Sequence, residues 1–173
     1  MLGLQRGTIR IVTADPAWAI AFAEERPHLH ATIGQLVRDI QHVGSTSVPG
    51  LDAKPIIDIA IAVTSPEDIA RSRPSLLALG YLDRGDGGSD GGYLFVKESH
   101  QDVRTHHLHF VTLDDPQWAN YLLFRERLRT DDALRDEYAA LKRTLQASFA
   151  HNRRGYTEAK APFIRLVLGE NGP

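Results

Sequence analysis

Residues 41–60, QHVGSTSVPGLDAKPIIDIA, constrain the fold of this chain more than any other stretch. They read as a short strand over 40–43, a loop of small hydroxyl residues, a lysine, and a longer strand over 56–63. In that longer strand Ile57, Ile59, Ile61 and Val63 share one face while Asp58, Ala60 and Ala62 share the other, because successive strand side chains point to opposite sides. Asp58 therefore belongs on the face away from an isoleucine layer, where it can hold a metal or take a proton. Gly44 lets the backbone come close to a ligand, and Ser45, Thr46 and Ser47 offer hydroxyls and N–H groups in succession. Such a nest suits an anionic oxygen, and Lys54 adds positive charge beside it. The same residues also make an ordinary turn between strands, so the loop alone does not choose between turn and site.

Residues 105–110, THHLHF, form a second chemical cluster. Strand alternation puts His107 and His109 on one face, with His106, Leu108 and Phe110 on the other. If the Leu108 face enters the core, the two imidazoles face the same cleft as Asp58. One carboxylate and two imidazoles suit a divalent transition metal. Alternatively, one histidine serves as general base or phosphate contact, since imidazole titrates near neutrality. His42, alone before Gly44, reads as structural.

The remaining chain alternates strands and helices and then turns wholly helical. Residues 8–12 alternate as a first strand or extended arm. Asp15 and Pro16 mark a helix start, and Trp18, Phe22, Leu29, Ile33 and Leu36 recur at near-helical spacing, with Pro27 expected to kink or divide the helix. Ser65-Pro66-Glu67-Asp68 opens another helix, with Pro74 expected to break it and Gly80 to end it. Residues 83–92, rich in Gly and Asp, read as a mobile loop. Strands follow over 93–97 and 104–112. Helices are expected from Asp115 onward, one with Trp118, Tyr121, Leu122 and Leu128 on its apolar face, another with Leu134, Tyr138, Leu141, Leu145 and Phe149, and a last over 157–168. This order predicts an α/β (α+β) domain, a small mixed β-sheet flanked by helices with further helices at the C-terminus, spanning residues 1–173.

Composition narrows the function classes. A chain that is 42% hydrophobic and 24% charged is ordinary for a globular protein and unlike a disordered one. With no cysteine, any metal must use oxygen or imidazole ligands. A formal net charge of −2 gives no general attraction to nucleic acid. No apolar run approaches the roughly 20 residues of a membrane span, and the N-terminus lacks an apolar signal core, so the cytoplasm is the expected location.

The strings HVGSTSVPGL (42–51), AKPIIDI (53–59), RTHHLHFV (104–111) and YTEAKAPFI (156–164) together resemble the GrpB family across nearly the whole chain. The resemblance implies the nucleotidyltransferase fold, and members of this family also occur fused behind dephospho-CoA kinase. In that fold a Gly-Ser pair follows the first core strand and the next strand bears acids at alternate positions that clamp divalent cations on a triphosphate. Gly44-Ser45 and Asp58 match the pattern, while Ala60 stands where the second acid would be. The implied partner is a nucleotide or phosphorylated small molecule. Gly44, Ser45, Thr46 and Ser47 would bind phosphate with Arg104 and Lys160, the last sharing a helical face with Tyr156. Asp58 and Lys54 would be catalytic, and Asp58, His107 and His109 would hold magnesium, manganese or another transition metal. Two functions follow: metal-dependent nucleotidyl transfer, or a catalytically degenerate module that binds a nucleotide or CoA-related metabolite.

Overall fold

The computed structural model describes residues 2–86 and 92–169. Among these residues β1 (Leu4–Gln5), α1 (Ala17–Ile33), β2 (Val37–Val43), β3 (Ile57–Val63), α2 (Pro66–Ala78), β4 (Tyr81–Asp86), β5 (Tyr93–His100), β6 (Val103–Thr112), α3 (Pro116–Thr130), α4 (Asp132–Phe149) and α5 (Arg153–Leu168) follow in order. The strands form one mixed sheet in the order β2-β3-β6-β5-β4, with β1 pairing β6 at its end. Its central pair, β3 and β6, runs parallel, and the other pairs are antiparallel. A parallel pair needs a long crossover, which α2, β4 and β5 supply.

Period-two alternation divides the sheet into two unlike faces. Ile57, Ile59, Ile61 and Val63 of β3 join Phe95, Leu108 and Phe110 in a layer covered by Trp18, Leu29 and Ile33 of α1 and Leu76 of α2. The opposite face carries Asp58, His107 and His109 and turns toward α3. Here α3, α4 and α5 pack on the loop after β2, with Val48, Leu51, Leu128, Tyr138, Phe163 and Val167 forming a second apolar cluster. No helix among the described residues is long and apolar enough to cross a membrane.

Several expected elements differ in extent. Residues 8–12 run as an extended arm with an isolated bridge from Val12 to Ala53, and the first strand lies earlier, at Leu4–Gln5. Pro27 and Pro74 do not divide their helices. Each removes one helical N–H, yet Leu29 and Ile33 beyond Pro27, and Leu76 beyond Pro74, are buried against the sheet and hold the next turn in place. Residues 83–86 belong to strand β4, not to a loop, because Asp83, Gly85 and Asp86 pair with Phe95, Leu94 and Tyr93 of β5, and the Asp83 side chain accepts from the Arg73 guanidinium and the Tyr93 hydroxyl. The rest of the glycine-rich stretch, 87–91, lies outside the described residues. The last helix starts at Arg153, where the Asn152 side chain caps Gly155 N–H, one turn before the expected Thr157.

Candidate functional site

The parallel register of β3 on β6 sets Asp58 opposite His107 and Ala60 opposite His109. The Asp58 Oδ1 atom lies 3.1 Å from His107 Nδ1 and 3.2 Å from His109 Nε2. These three ligand atoms all fall within 4.8 Å of one another. Neighbouring ligands of an ion at about 2.1 Å stand roughly 3.0–3.4 Å apart, so the carboxylate's separation from each imidazole fits a shared divalent metal. Burial raises the affinity of Asp58 for a proton, but hydrogen bonds from both imidazoles outweigh it and hold the carboxyl well below the usual carboxylate range. Burial pushes the His107 imidazole down to about 4 against the opposing pull of Asp58. At neutral pH the set thus presents an anionic carboxylate and a neutral His107, the protonation states in which such ligands bind metals.

Gly44 lies against this carboxylate with φ of +67°. A Cβ there would sit 2.7 Å from Asp58 Oδ2, so only glycine lets the loop close over the acid. Ser45–Ser47 then form a single turn of 3-10 helix. Its hydroxyls have different tasks. Ser47 Oγ donates to Gly44 O and is buried, and the Thr46 hydroxyl donates to Ile56 O. With its proton so used, Thr46 Oγ1 accepts from His42 Nε2–H, whose ring stacks on Phe22 at 4.8 Å. Ser45 accepts from the ammonium of Lys142, 3.0 Å away, and lines the cavity.

That cavity encloses about 350 Å³. Its volume lies in the range of sites for small ligands and cofactors. Gly44, Ser45, Thr46, Asp58, His107 and His109 form part of its wall, Lys54, Lys160, Arg153 and Arg165 bring positive charge to it, and Lys142 adds a hydrogen-bond donor. Tyr121, Phe124, Tyr138 and Tyr156 contribute aromatic surface. Lys160 Nζ lies 4.7 Å from the centre of the Tyr156 ring and Lys54 Nζ 5.6 Å from it, so that one ring braces both ammonium groups. Lys142 is buried, donates also to Asp52 O, and sits over Tyr138. Burial, reinforced by the charge of Lys160, drives its ammonium well below the ordinary lysine range.

The fold thus brings together Gly44, Ser45, Thr46, Lys54, Asp58, His107, His109 and Lys160 around one cavity. Ser47 turns inward behind the loop, where its carbonyl accepts from Arg129, and Arg104 lines a separate small cleft. Sequence reasoning missed Lys142, Tyr138, Tyr121 and Arg153. Lys142 and Tyr138 belong to one face of α4, and a lysine amid the apolar positions 138, 141 and 145 was the available signal.

Comparison with known proteins agrees with this architecture. Residues 8–170 match the family described as GrpB protein. The glutamate-rich protein GrpB of Alkalihalophilus pseudofirmus is 33% identical over 173 residues, covering 98% of this chain and 99% of that protein. The crystal structure of GrpB from Enterococcus faecalis superposes with a TM-score of 0.82 at 31% identity, over 93% of this chain and 96% of that one. Cid1 poly(U) polymerase, solved with MgGTP bound, matches with a TM-score of 0.53 at 13% identity over 79% of this chain and 44% of its own, a likeness of fold. With the mixed sheet, the Gly44-Ser45 loop and Asp58 in place on a nucleotidyltransferase fold, the chain belongs to the GrpB family.

Proposed function

We propose that the cavity binds a nucleotide or a related phosphorylated small molecule and that the chain transfers a nucleotidyl group from it to a second substrate. The observation that carries this reading is the meeting of one carboxylate and two imidazoles with Lys54 and Lys160 in a single cavity. Cations beside a divalent-metal set form the environment a polyphosphate requires. Asp58, His107 and His109 are the residues that would hold the ion, manganese or another transition metal in preference to magnesium, which favours oxygen ligands. Such an ion, when bound, supplies positive charge to a phosphoryl oxygen.

The protein's own groups perform the rest. Ser45 accepts from Lys142, which leaves its own hydroxyl proton available to donate. Gly44 leaves the backbone uncovered beside Asp58. Lys54 and Lys160, braced on Tyr156, face charge that develops on the transferred group, and Phe124 and Tyr121 offer apolar surface to a base.

Ala60 supports a second reading, a module that binds the nucleotide without turning it over. It occupies the register position opposite His109, on the face of Asp58, where this fold carries another acid. Thermal-shift and calorimetric titration with nucleoside triphosphates and CoA precursors, with and without Mn²⁺ or Mg²⁺, tests both. Stabilisation by a phosphorylated ligand that needs Mn²⁺ and disappears in Asp58→Asn is the expected result. No shift with any such ligand would end both readings. Binding without release of pyrophosphate in the presence of candidate acceptors would leave the second.

A further inference from the structure

We propose that a small cleft beside His107, separate from the main cavity, binds an oxyanion: the phosphate or carboxylate group of a second substrate. Its assignment to a second substrate rests on the transfer reading above, while the oxyanion site itself does not. Arg6, Thr8, Lys54, Arg104, His107 and Arg153 contribute to its wall, which has no carboxylate among the described residues.

Arg104 is the buried cation of this cleft. Its side chain is 7% exposed, and its Nε has no hydrogen-bond partner among the described residues. The carboxylate nearest to that nitrogen, Glu98, lies 4.0 Å away, beyond hydrogen-bond reach. Glu98 already accepts from Asp102 N–H at 3.0 Å and from Arg84 at 3.5 Å. A buried guanidinium donor without an acceptor is costly to keep, and an anion is the ligand that satisfies it.

His107 supplies the second observation. Its Nδ1 edge meets Asp58, and its buried Nε2 has no partner among the described residues. The ring lines both the main cavity and the small cleft. A neutral ring that gives Nδ1–H to Asp58 shows a bare Nε2; one that ligates an ion through Nδ1 carries its proton on Nε2 and becomes a donor. Lys54 and Arg153 also line both spaces.

Size sets the ligand class. The cleft has about 20 Å³ of free space, little more than one water needs, so a ligand oxygen enters it but a sugar or base does not. A ligand must therefore enter by its anionic end, with its body along the boundary held by Lys54 and Arg153. This geometry fits an acceptor whose phosphate or carboxylate is anchored here while its reacting group lies toward Asp58.

Selenate, an anomalously scattering oxyanion, is the direct probe. In crystals of the full chain soaked with it, a peak within hydrogen-bond distance of Arg104 Nε is expected. The peak should be absent from Arg104→Gln and kept in Lys142→Met, which disturbs the main cavity instead. In solution, calorimetric titration of Lys142→Met with inorganic phosphate should show a site that weakens at least tenfold when Arg104→Gln is added. Ordered water alone beside Arg104 in the soaked wild-type crystal would overturn the site, and that crystal decides even where Arg104→Gln fails to fold. Selenate in the cleft of a protein that binds no nucleotide would keep the site and remove the transfer reading. Phosphomonoesters and carboxylates titrated separately then distinguish the two kinds of acceptor, tighter binding naming the group.

Discussion

His42 shows how a histidine next to a site can serve packing alone. Its ring is buried on Phe22 and bonded to Thr46, and that burial pushes the imidazole down to about 4 against the attraction of Asp58. In the unfolded chain the same group titrates near 6.5, so at falling pH the unfolded state takes up the proton first. The stability present above pH 6.5 is therefore lost progressively as pH drops toward about 4, by about 3 kcal/mol for this one group. Urea titrations of wild type and His42→Gln across this window should show a shallower loss in the variant. Parallel curves would show that His42 does not carry the effect. At this scale Asp58, His107 and His109 were legible because a period of two leaves each strand residue only one of two faces. Lys142 was not, since 97 residues separate it from Ser45 and no local pattern links them. Arg104 was expected at the phosphate loop from its place beside the histidines. Its side chain instead lines the small cleft with Arg6 and Thr8.

Helix α1 is tied to the sheet by one buried acid. Glu25 accepts from the Tyr81 hydroxyl of β4 at 2.7 Å and from Lys97 of β5 at 2.8 and 2.9 Å. Burial raises its proton affinity, but Lys97 and Tyr81 outweigh that and hold the carboxyl below its ordinary value. Glu25→Ala strands an ammonium and a phenol, and the expected cost is about 2–4 kcal/mol by chemical denaturation. Adding Lys97→Met should recover part of it, since an apolar pair can replace a buried ion pair. A single variant of unchanged stability would show that the helix is held by Leu29 and Ile33 alone. The helices themselves were mostly legible from caps and spacing: Asp115 caps Gln117, and Ser65 with Pro66 starts α2. What misled was proline and glycine. Pro27 and Pro74 punctuate an isolated helix, but packing beyond each outweighs one lost hydrogen bond. Asp83 and Gly85 have loop composition, and only their cross-strand partners on β5 make them a strand.

The whole molecule sets two apolar clusters on opposite sides of one sheet, and the second is also the frame of the cavity. Phe163 stacks on Tyr138 at 5.0 Å, and Tyr138 in turn lies under Lys142 and meets Ser45. Phe163→Ala should cost about 3 kcal/mol, lowering the melting temperature by about 6–12 °C. Calorimetry should show one shifted transition if both clusters unfold together, whereas a separate early transition would mean that α3–α5 melt on their own. The mixed sheet was legible from the order of elements, but the docking of α3–α5 over Asp58 was not, because amphipathic faces state that a helix is covered and not by what. The wide spacing of the site along the chain has a consequence for biosynthesis. Asp58 meets His107 across 49 residues, and Ser45 meets Lys142 across 97. A ribosome that has released residues only through β6 has delivered the acid and both imidazoles, but none of the lysines of α4 and α5. On the function proposed above, the nascent chain would therefore pass through an interval in which it carries the residues that would hold the ion but lacks most of the groups that would retain a polyphosphate. Since contacts this distant form late, occupancy of the proposed site would report that α4 and α5 have docked on the sheet.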